Sequence, residues 1–232
     1  MSQVNNETTQ LVPIEDELRQ QALQAAASEA NTATGQFFGL RSGILSWNGN
    51  PLPGNQIVGI ILDSIHEISY YKDKFDGENK VSPTAFALGR DADKLVWHEN
   101  SEESFIGKLC KDDDVCQWGS SDSGRGKAAR ETRRLAIIPA GTVNNKGDVT
   151  LFDDLDEFKN STIGFLRLPV TSVANYASYV KQIAGALHRP PHGVITRIRA
   201  IPDTKTQFKI VFEVYDSLGH QFLPTAMARH EE

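Results

Sequence analysis

The sequence has few cysteines, no long hydrophobic run and no excess of basic residues, and each shortage excludes a class of protein. Two cysteines among 232 residues cannot form a disulfide framework, which predicts a protein of a reducing compartment. The apolar stretches are shorter than the roughly 18–20 residues that a membrane helix needs. The polar start of the chain lacks the basic and apolar regions of a secretory signal. The chain is therefore expected to be cytoplasmic and to have no membrane contact.

The composition is that of a folded domain. Hydrophobic residues make up 39% and charged residues 23%, which is ordinary for a globular protein and excludes collagen, a coiled coil and a wholly disordered chain. The length allows one or two domains. The net charge of −6 argues against a uniformly basic surface for nucleic acid, because phosphate contacts need cations. The charges are unevenly distributed, however, so a local basic site remains compatible with the acidic total.

A basic segment lies between two acidic segments. The acidic segments are residues 91–114, with a local net charge of −5, and residues 148–159, with one of −4. The basic segment is residues 124–134, with a local net charge of +4. This pattern indicates either a local site for a partner or a surface on which neighbouring charges pair with one another.

The basic segment combines glycines with cations and follows a tryptophan. Gly124 and Gly126 let the backbone approach a phosphate chain closely, and guanidinium and ammonium groups bind phosphate. Trp118 offers a flat surface for a base, and a cationic groove beside an aromatic side chain is typical of proteins that bind single-stranded nucleic acid. The alternative is that Trp118 covers a hydrophobic edge while the cations pair with the acidic segments. The cations are Arg125, Lys127, Arg130, Arg133 and Arg134.

The basic segment is not the phosphate loop of nucleotide hydrolases. That motif needs glycine where this chain has Ser121 and a hydroxyl residue where it has Ala128. The sequence contains no other recognised catalytic motif, so we expect a binding protein and not an enzyme. A magnesium-dependent nuclease that uses Asp63 and Glu67, or the carboxylates of residues 153–157, stays an alternative.

A second group of cations lies on a predicted hairpin near the end of the chain. Arg197 and Arg199 are two residues apart and therefore share one face of a strand, and Lys209 lies on the partner strand opposite its apolar face. A basic stripe on a sheet face would extend a nucleic-acid track. The alternative is the ordinary solvated side of an antiparallel sheet.

A structural zinc ion is the candidate cofactor, with Cys110, Cys116 and His98 as its ligands. Structural zinc sites normally use two short-spaced pairs of cysteine or histidine ligands, whereas this loop offers one widely spaced cysteine pair and no evident fourth ligand. The alternative is that both cysteines are buried or free thiols.

The pattern of β-branched and aromatic runs predicts a mainly β (α+β) fold. The connections are too short for repeated helical crossovers, so the sheet is expected to be mostly antiparallel, as an antiparallel OB-like barrel or half-open sheet with two helices and one long elaborated loop. The predicted strands cover residues 37–47, 56–71, 84–88, 133–139, 161–168, 194–201 and 207–215, and the predicted helices cover residues 14–30 and 171–187.

The domain organisation follows from the same pattern. Residues 1–12 are predicted to be a disordered arm. Residues 13–220 are predicted to form one OB-like domain that carries an insertion loop at 89–132, and residues 221–232 a polar tail. A loop of that length without periodicity is usually functional, disordered or held by a metal.

The chain resembles a group of replication proteins of tailed phages that bind single-stranded DNA. The resemblance rests on "WGS" at residues 118–120, "GRGKAARETRRL" at residues 124–135, and "LPVTS" at residues 168–172 followed by two tyrosines. It covers about residues 110–215. The chain departs from the pattern of the group in having Ala129, preceded by Ala128, where a cysteine is usual, and in its wider cysteine spacing. Both departures weaken the implied zinc site and leave the cationic segment intact.

The resemblance implies an OB-like protein that binds single-stranded DNA without strong sequence preference during phage replication or recombination. It would work in the host cell cytoplasm, as a monomer or an oligomer, alongside other replication or recombination proteins. The alternative from another class is a protein-interaction module, an inhibitor or a recruiter of host factors, that uses its acidic segments as the contact surface.

Overall fold

The computed structural model describes residues 36–73 and 81–231. The predicted arm at 1–12 and the predicted helix at 14–30 lie outside the described residues. Residues Phe37–Glu232 form one compact unit. Within the described ranges, no helix is both long enough and apolar enough to cross a membrane.

The fold is mainly β, with a large curled sheet that stays open. The helices within the described residues are α1 (Leu155–Asn160), α2 (Val170–Leu187) and α3 (Leu223–Glu231). The strands are β1 (Phe37–Arg41), β2 (Ile44–Trp47), β3 (Asn50–Pro51), β4 (Gln56–Tyr70), β5 (Ala85–Gly89), β6 (Arg130–Pro139), β7 (Gly141–Val143), β8 (Val149–Leu151), β9 (Gly164–Leu168), β10 (Val194–Asp203) and β11 (Gln207–Ser217).

Strand β4 is the centre of the large sheet. The order runs β11-β10-β4-β6-β9-β1-β2-β3, and β5 pairs with the second half of β4, on the edge whose first half pairs with β10. Strand β7 pairs with β8 in a separate two-stranded sheet. The long run of β-branched residues in β4 explains its length, and a bulge between Ile61 and Asp63 interrupts its register with β6.

The large sheet is mostly antiparallel, as predicted, but it is not the purely antiparallel sheet of an OB-like barrel. Strand β1 pairs with β9 in parallel, with Phe37 opposite Phe165, so the sheet is mixed. The other pairs of the large sheet are antiparallel. Local patterns of apolar residues mark a strand but do not record the direction of a partner that lies far away in the chain.

Helix α2 covers one face of the sheet, the α2 face. Its residues Tyr176, Tyr179 and Ile183 are buried against the sheet in one apolar cluster. The helix is also bonded to the sheet, because Ser172 Oγ accepts a hydrogen bond of 2.9 Å from the backbone N–H of Ile210. The predicted helix at 171–187 is confirmed.

The opposite face of the sheet, the α3 face, is covered only in part. Helices α1 and α3 and the β7–β8 hairpin pack over a second apolar cluster that includes Val58, Ile60 and Ile138. The predicted polar tail at 221–232 therefore contains a helix, which buries Ala226. The nine residues of α3 are a mixture of alanine, proline, larger apolar and polar side chains, and their order shows no clear apolar periodicity from which the helix could be predicted.

The insertion loop, residues 90–129 in the structure, folds around an apolar cluster of its own. Trp97, Cys110 and Cys116 are buried there against Ile68 of β4 and the alanines of β5. The indole N–H of Trp97 donates to Asp113 Oδ2 at 3.3 Å. The insertion loop is thus packed onto the second half of β4, and its last residues form the first part of the basic segment.

Candidate nucleic-acid interface

A cleft of about 930 Å³ lies between the end of β4 and the loop that leads into β6. We call it the basic cleft. Lys72, Lys127 and Arg130 supply its cations, and Tyr70 and Tyr71 supply its aromatic rings. Asp73, Asp122 and three serines also line it. The basic cleft therefore combines the two kinds of side chain, cationic and aromatic, that contact the backbone and the bases of a single strand.

The loop beside the basic cleft is a hydrogen-bonded turn. The carbonyl of Gly126 accepts hydrogen bonds from the backbone N–H groups of Gly119 and Ser121, at 2.8 and 3.1 Å. Gly119 and Gly124 have φ angles of +95° and +67°, which glycine adopts without strain. These hydrogen bonds define the shape of the loop, and Gly119 and Gly124 allow the chain to reverse its direction.

Trp118 lies on this turn, immediately before Gly119, and its residue is 78% exposed. An indole has a large apolar face and a polar N–H, so a ring exposed to this extent is accessible to a partner. This exposure argues against the alternative that Trp118 covers a hydrophobic edge of its own fold.

The cations of the basic segment differ in their partners. Lys127 Nζ lies 2.5 Å from Glu131 Oε1. The Arg130 guanidinium carbon lies 6.0 Å from the centre of the Tyr71 ring. Arg125 is exposed on the turn. Among the described residues, neither Arg125 nor Arg130 forms an ion pair with a carboxylate within 4 Å.

Arg133 and Arg134 point to opposite faces of the sheet, because side chains alternate along β6. Arg133 lies on the α2 face, where Nη1 donates to Ser64 Oγ at 3.3 Å. Burial lowers the pKa of Arg133, and its buried Nε has no partner among the described residues. Arg134 lies on the α3 face. The basic segment therefore does not present all its cations to one surface.

A carboxylate that is almost buried holds two arginines on the α3 face. Glu67 Oε2 lies 3.0 Å from Arg134 Nη2, and Glu67 Oε1 lies 2.8 Å from Arg167 Nη2. Arg167 also donates to Ser69 Oγ at 3.3 Å and to Thr132 Oγ1 at 3.4 Å. We call Glu67, Arg134 and Arg167 the arginine pair site. The sequence analysis missed Arg167, although its place between buried Leu166 and Leu168 on β9 marks it as pointing away from the core.

The cations of the terminal hairpin form their own contacts. The Arg197 guanidinium carbon lies 4.5 Å from the centre of the Tyr215 ring, Arg199 pairs with Glu213, and Lys209 Nζ lies 3.1 Å from Asp203 Oδ1. Hydrogen bonds from Thr206 and Lys209 lower the pKa of Asp203 to about 2. Arg197, Arg199 and Lys209 do not line the basic cleft.

The predicted zinc ligands do not converge. Cys110 and Cys116 are free thiols in the core of the insertion loop, whereas the His98 ring stacks on Phe86 at 4.5 Å and its Nδ1 accepts from the Asn100 N–H. Across residues 36–73 and 81–231, no group of three or more His, Cys, Asp or Glu side chains could hold a metal ion. The structure therefore places the two cysteines together in one apolar cluster and leaves His98 outside it.

Comparison of the chain with family models, with curated proteins and with solved structures gives no match. The fold and the site together define a mainly β protein with a curled, open sheet. A basic cleft lined with tyrosines lies at the end of its central strand, and the turn that lines the other side of this cleft carries an exposed indole.

Proposed function

We propose that the chain binds single-stranded DNA without strong sequence preference, and that it is an OB-like replication or recombination protein of a tailed phage, acting in the host cell cytoplasm. One observation supports the binding function above all: Trp118 is 78% exposed on the turn whose serines line the basic cleft, although neither Trp118 nor Arg125 lines the cleft itself. A base can stack on such a ring whatever its identity, which accounts for tolerance of sequence.

The mechanism is passive binding. Arg125 on the turn and Lys127 and Arg130 in the basic cleft take the phosphates, while Trp118 stacks a base. Lys127 must leave Glu131 to do so, and an exposed ion pair of this kind is weak enough to exchange for a phosphate. Arg130 lies near Tyr71, so a base that enters the cleft meets both a ring and a cation.

The direct test is fluorescence anisotropy with a labelled oligonucleotide at several salt concentrations. We expect the logarithm of the binding constant to fall linearly with the logarithm of salt, because the bound phosphates release counterions. Arg130→Ala is expected to reduce the magnitude of this salt slope by the equivalent of about one phosphate contact. Lys94→Ala is the matched control, since Lys94 is exposed and pairs with Asp91 away from the basic cleft. Absence of binding at low salt overturns the proposal.

A second candidate function is a protein-interaction module, and one observation favours it. Within the acidic segment 91–114, Val96 and Leu109 form an isolated β-bridge, and both are more than a third exposed, as is Ile106. Exposed apolar residues among carboxylates suit a basic, apolar protein partner. If the oligonucleotide titration shows no binding, the protein-interaction module becomes the favoured function.

A further inference from the structure

A second cleft, of about 480 Å³, opens on the α3 face of the sheet. Its floor is apolar and includes Ile65 of β4 and Phe165 of β9. The charged and titratable groups that line it are Asp63, Arg90, Arg134, Arg229 and His230. Arg134 was predicted to bind phosphate and Asp63 was a candidate ligand of the nuclease alternative, but no pattern in the sequence predicted a cleft that contains both.

The second cleft and the basic cleft lie at two ends of one short stretch of β6. Arg130 lines the basic cleft and Arg134 lines the second cleft. Both side chains lie on the α3 face, because they are an even number of residues apart and the register of this part of β6 is unbroken. Four residues of strand span about 13 Å. A strand of nucleic acid that leaves the basic cleft along β6 therefore reaches the second cleft directly.

The route between the two clefts carries positive charge. Glu67 orients both guanidiniums of the arginine pair site, and two arginines on one carboxylate leave an excess of one positive charge. At the rim of the second cleft Arg90 is paired with Asp63 at 2.8 Å. Arg229 is held by the carbonyls of Lys159 and Ser161, so it forms part of the wall. A phosphate that arrives meets guanidiniums already fixed in position, which lowers the entropy lost on binding.

An apolar, aromatic floor beside cations suits a nucleobase with its phosphate better than it suits a simple anion. The Phe165 ring lies 6.1 Å from the ring of Phe37 in a tilted arrangement, and Phe37 is 46% exposed. Aromatic rings that stand open on a sheet face are stacking platforms in proteins that bind single strands.

We propose that the second cleft is a second nucleotide subsite, in which Phe165 stacks a base and Arg134 and Arg167 hold the adjoining phosphates of the strand bound in the basic cleft. This inference rests on the proposed function. The proposed ligand of both clefts is one continuous single strand of DNA. Glu67 is then the residue that positions Arg134 and Arg167 for the phosphates of this strand.

The test compares two lengths of oligonucleotide, of about 4 and about 16 nucleotides, which bracket the site sizes of OB-type domains. Phe165→Leu keeps the floor apolar and removes the stacking ring, and Arg167→Gln removes one cation without disturbing the floor. Each variant is expected to bind the long oligonucleotide about tenfold more weakly than the unaltered protein, and the short one equally well. Val214→Ala, an exposed residue of β11, is the control and should match the unaltered protein on both lengths.

Trp118→Ala separates the two proposals, since it is expected to weaken both lengths. If Trp118→Ala weakens binding while Phe165→Leu and Arg167→Gln bind the long oligonucleotide like the unaltered protein, the second subsite is overturned and the proposed function stands. A cleft that takes only a free nucleotide gives this same result. If the unaltered protein binds neither length at low salt, both proposals fail.

Discussion

Two tryptophans of the insertion loop have different roles because one is buried and the other is exposed. Trp97 is 2% exposed and donates a hydrogen bond to Asp113, whereas Trp118 is 78% exposed. The two tryptophans stand in similar polar loop sequence, so composition alone could not tell which one is buried. The glycines and serines around Trp118 did indicate a turn, and that part of the site could be predicted.

The two cysteines illustrate the same dependence on surroundings. Burial raises the pKa of Cys110 to about 12 and that of Cys116 to about 11. Because the thiolate is the reactive form, both thiols are expected to react slowly with a disulfide reagent in the native protein at neutral pH. The measurement is the rate of thiol labelling with Ellman's reagent, with and without denaturant.

Full labelling within the dead time of the native sample would contradict the burial of both thiols. Added zinc provides the control for the metal hypothesis. The native labelling rate should be the same with and without zinc, since His98 stacks on Phe86 and does not join the cysteines.

The elements were predicted more reliably than their partners. The strand predicted at 56–71 is confirmed as β4, and the predicted hairpin near the end of the chain is confirmed as β10 and β11. The strand predicted at 37–47 is two strands, because Ser42 and Gly43 reverse the chain with φ angles of +52° and +76°. Strand alternation could have placed Arg133 and Arg134 on opposite faces. Which of the two faces each arginine occupies depends on how the whole sheet packs, and a local sequence pattern does not determine this.

Gly164 shows how closely two elements approach. A Cβ atom there would lie 2.5 Å from the Phe38 ring and closer still to the Trp47 ring. Gly164→Ala is therefore expected to lower the free energy of unfolding by about 1–3 kcal/mol, because the core would be overpacked. Gly185→Ala in α2 is the control, since a Cβ there meets nothing within 4 Å. It should raise stability by roughly 0.5–1 kcal/mol. Equal unfolding midpoints for both variants in urea would contradict this packing.

The contact of α3 with the turn before β10 is expected to depend on pH. The rings of His192 and His230 stack at 4.7 Å, and burial together with the charge of His230 lowers the pKa of His192. The native pKa thus lies below the unfolded value of about 6.5. As the pH falls, the unfolded state binds the proton at a higher pH than the native state does. The free energy of unfolding therefore decreases as the pH falls below about 6.5, and His192 does not affect it at higher pH.

His192→Gln is therefore expected to lose less stability than the unaltered protein between about pH 7.5 and about pH 5.5. Urea unfolding at both pH values measures this difference. His66, whose pKa is also lowered by burial and by Arg133, contributes a loss of the same sign that the variant keeps. His220→Gln is the control, because His220 is exposed. An identical pH dependence for His192→Gln and the unaltered protein contradicts the account.

At the scale of the whole molecule, the charge pattern of the sequence gives only part of the site. The basic segment supplies Arg125, Lys127 and Arg130 beside the basic cleft, but Lys72 and the tyrosines at the end of β4 come from a strand far away in the chain. The long-range pairing of β4 with β6 brings these residues together, and it could not be read from either segment alone. The mainly β class, by contrast, follows from the runs of β-branched residues.

The most direct test of the central claim uses the protein's own tryptophan emission during titration with an unlabelled oligonucleotide at low salt. Base stacking on Trp118 is expected to quench the emission, and added salt should restore it. Trp118→Phe should abolish the response while the buried Trp97 continues to report a folded protein. Binding that leaves the emission of the unaltered protein unchanged, or that persists at full strength in Trp118→Ala, would contradict the account.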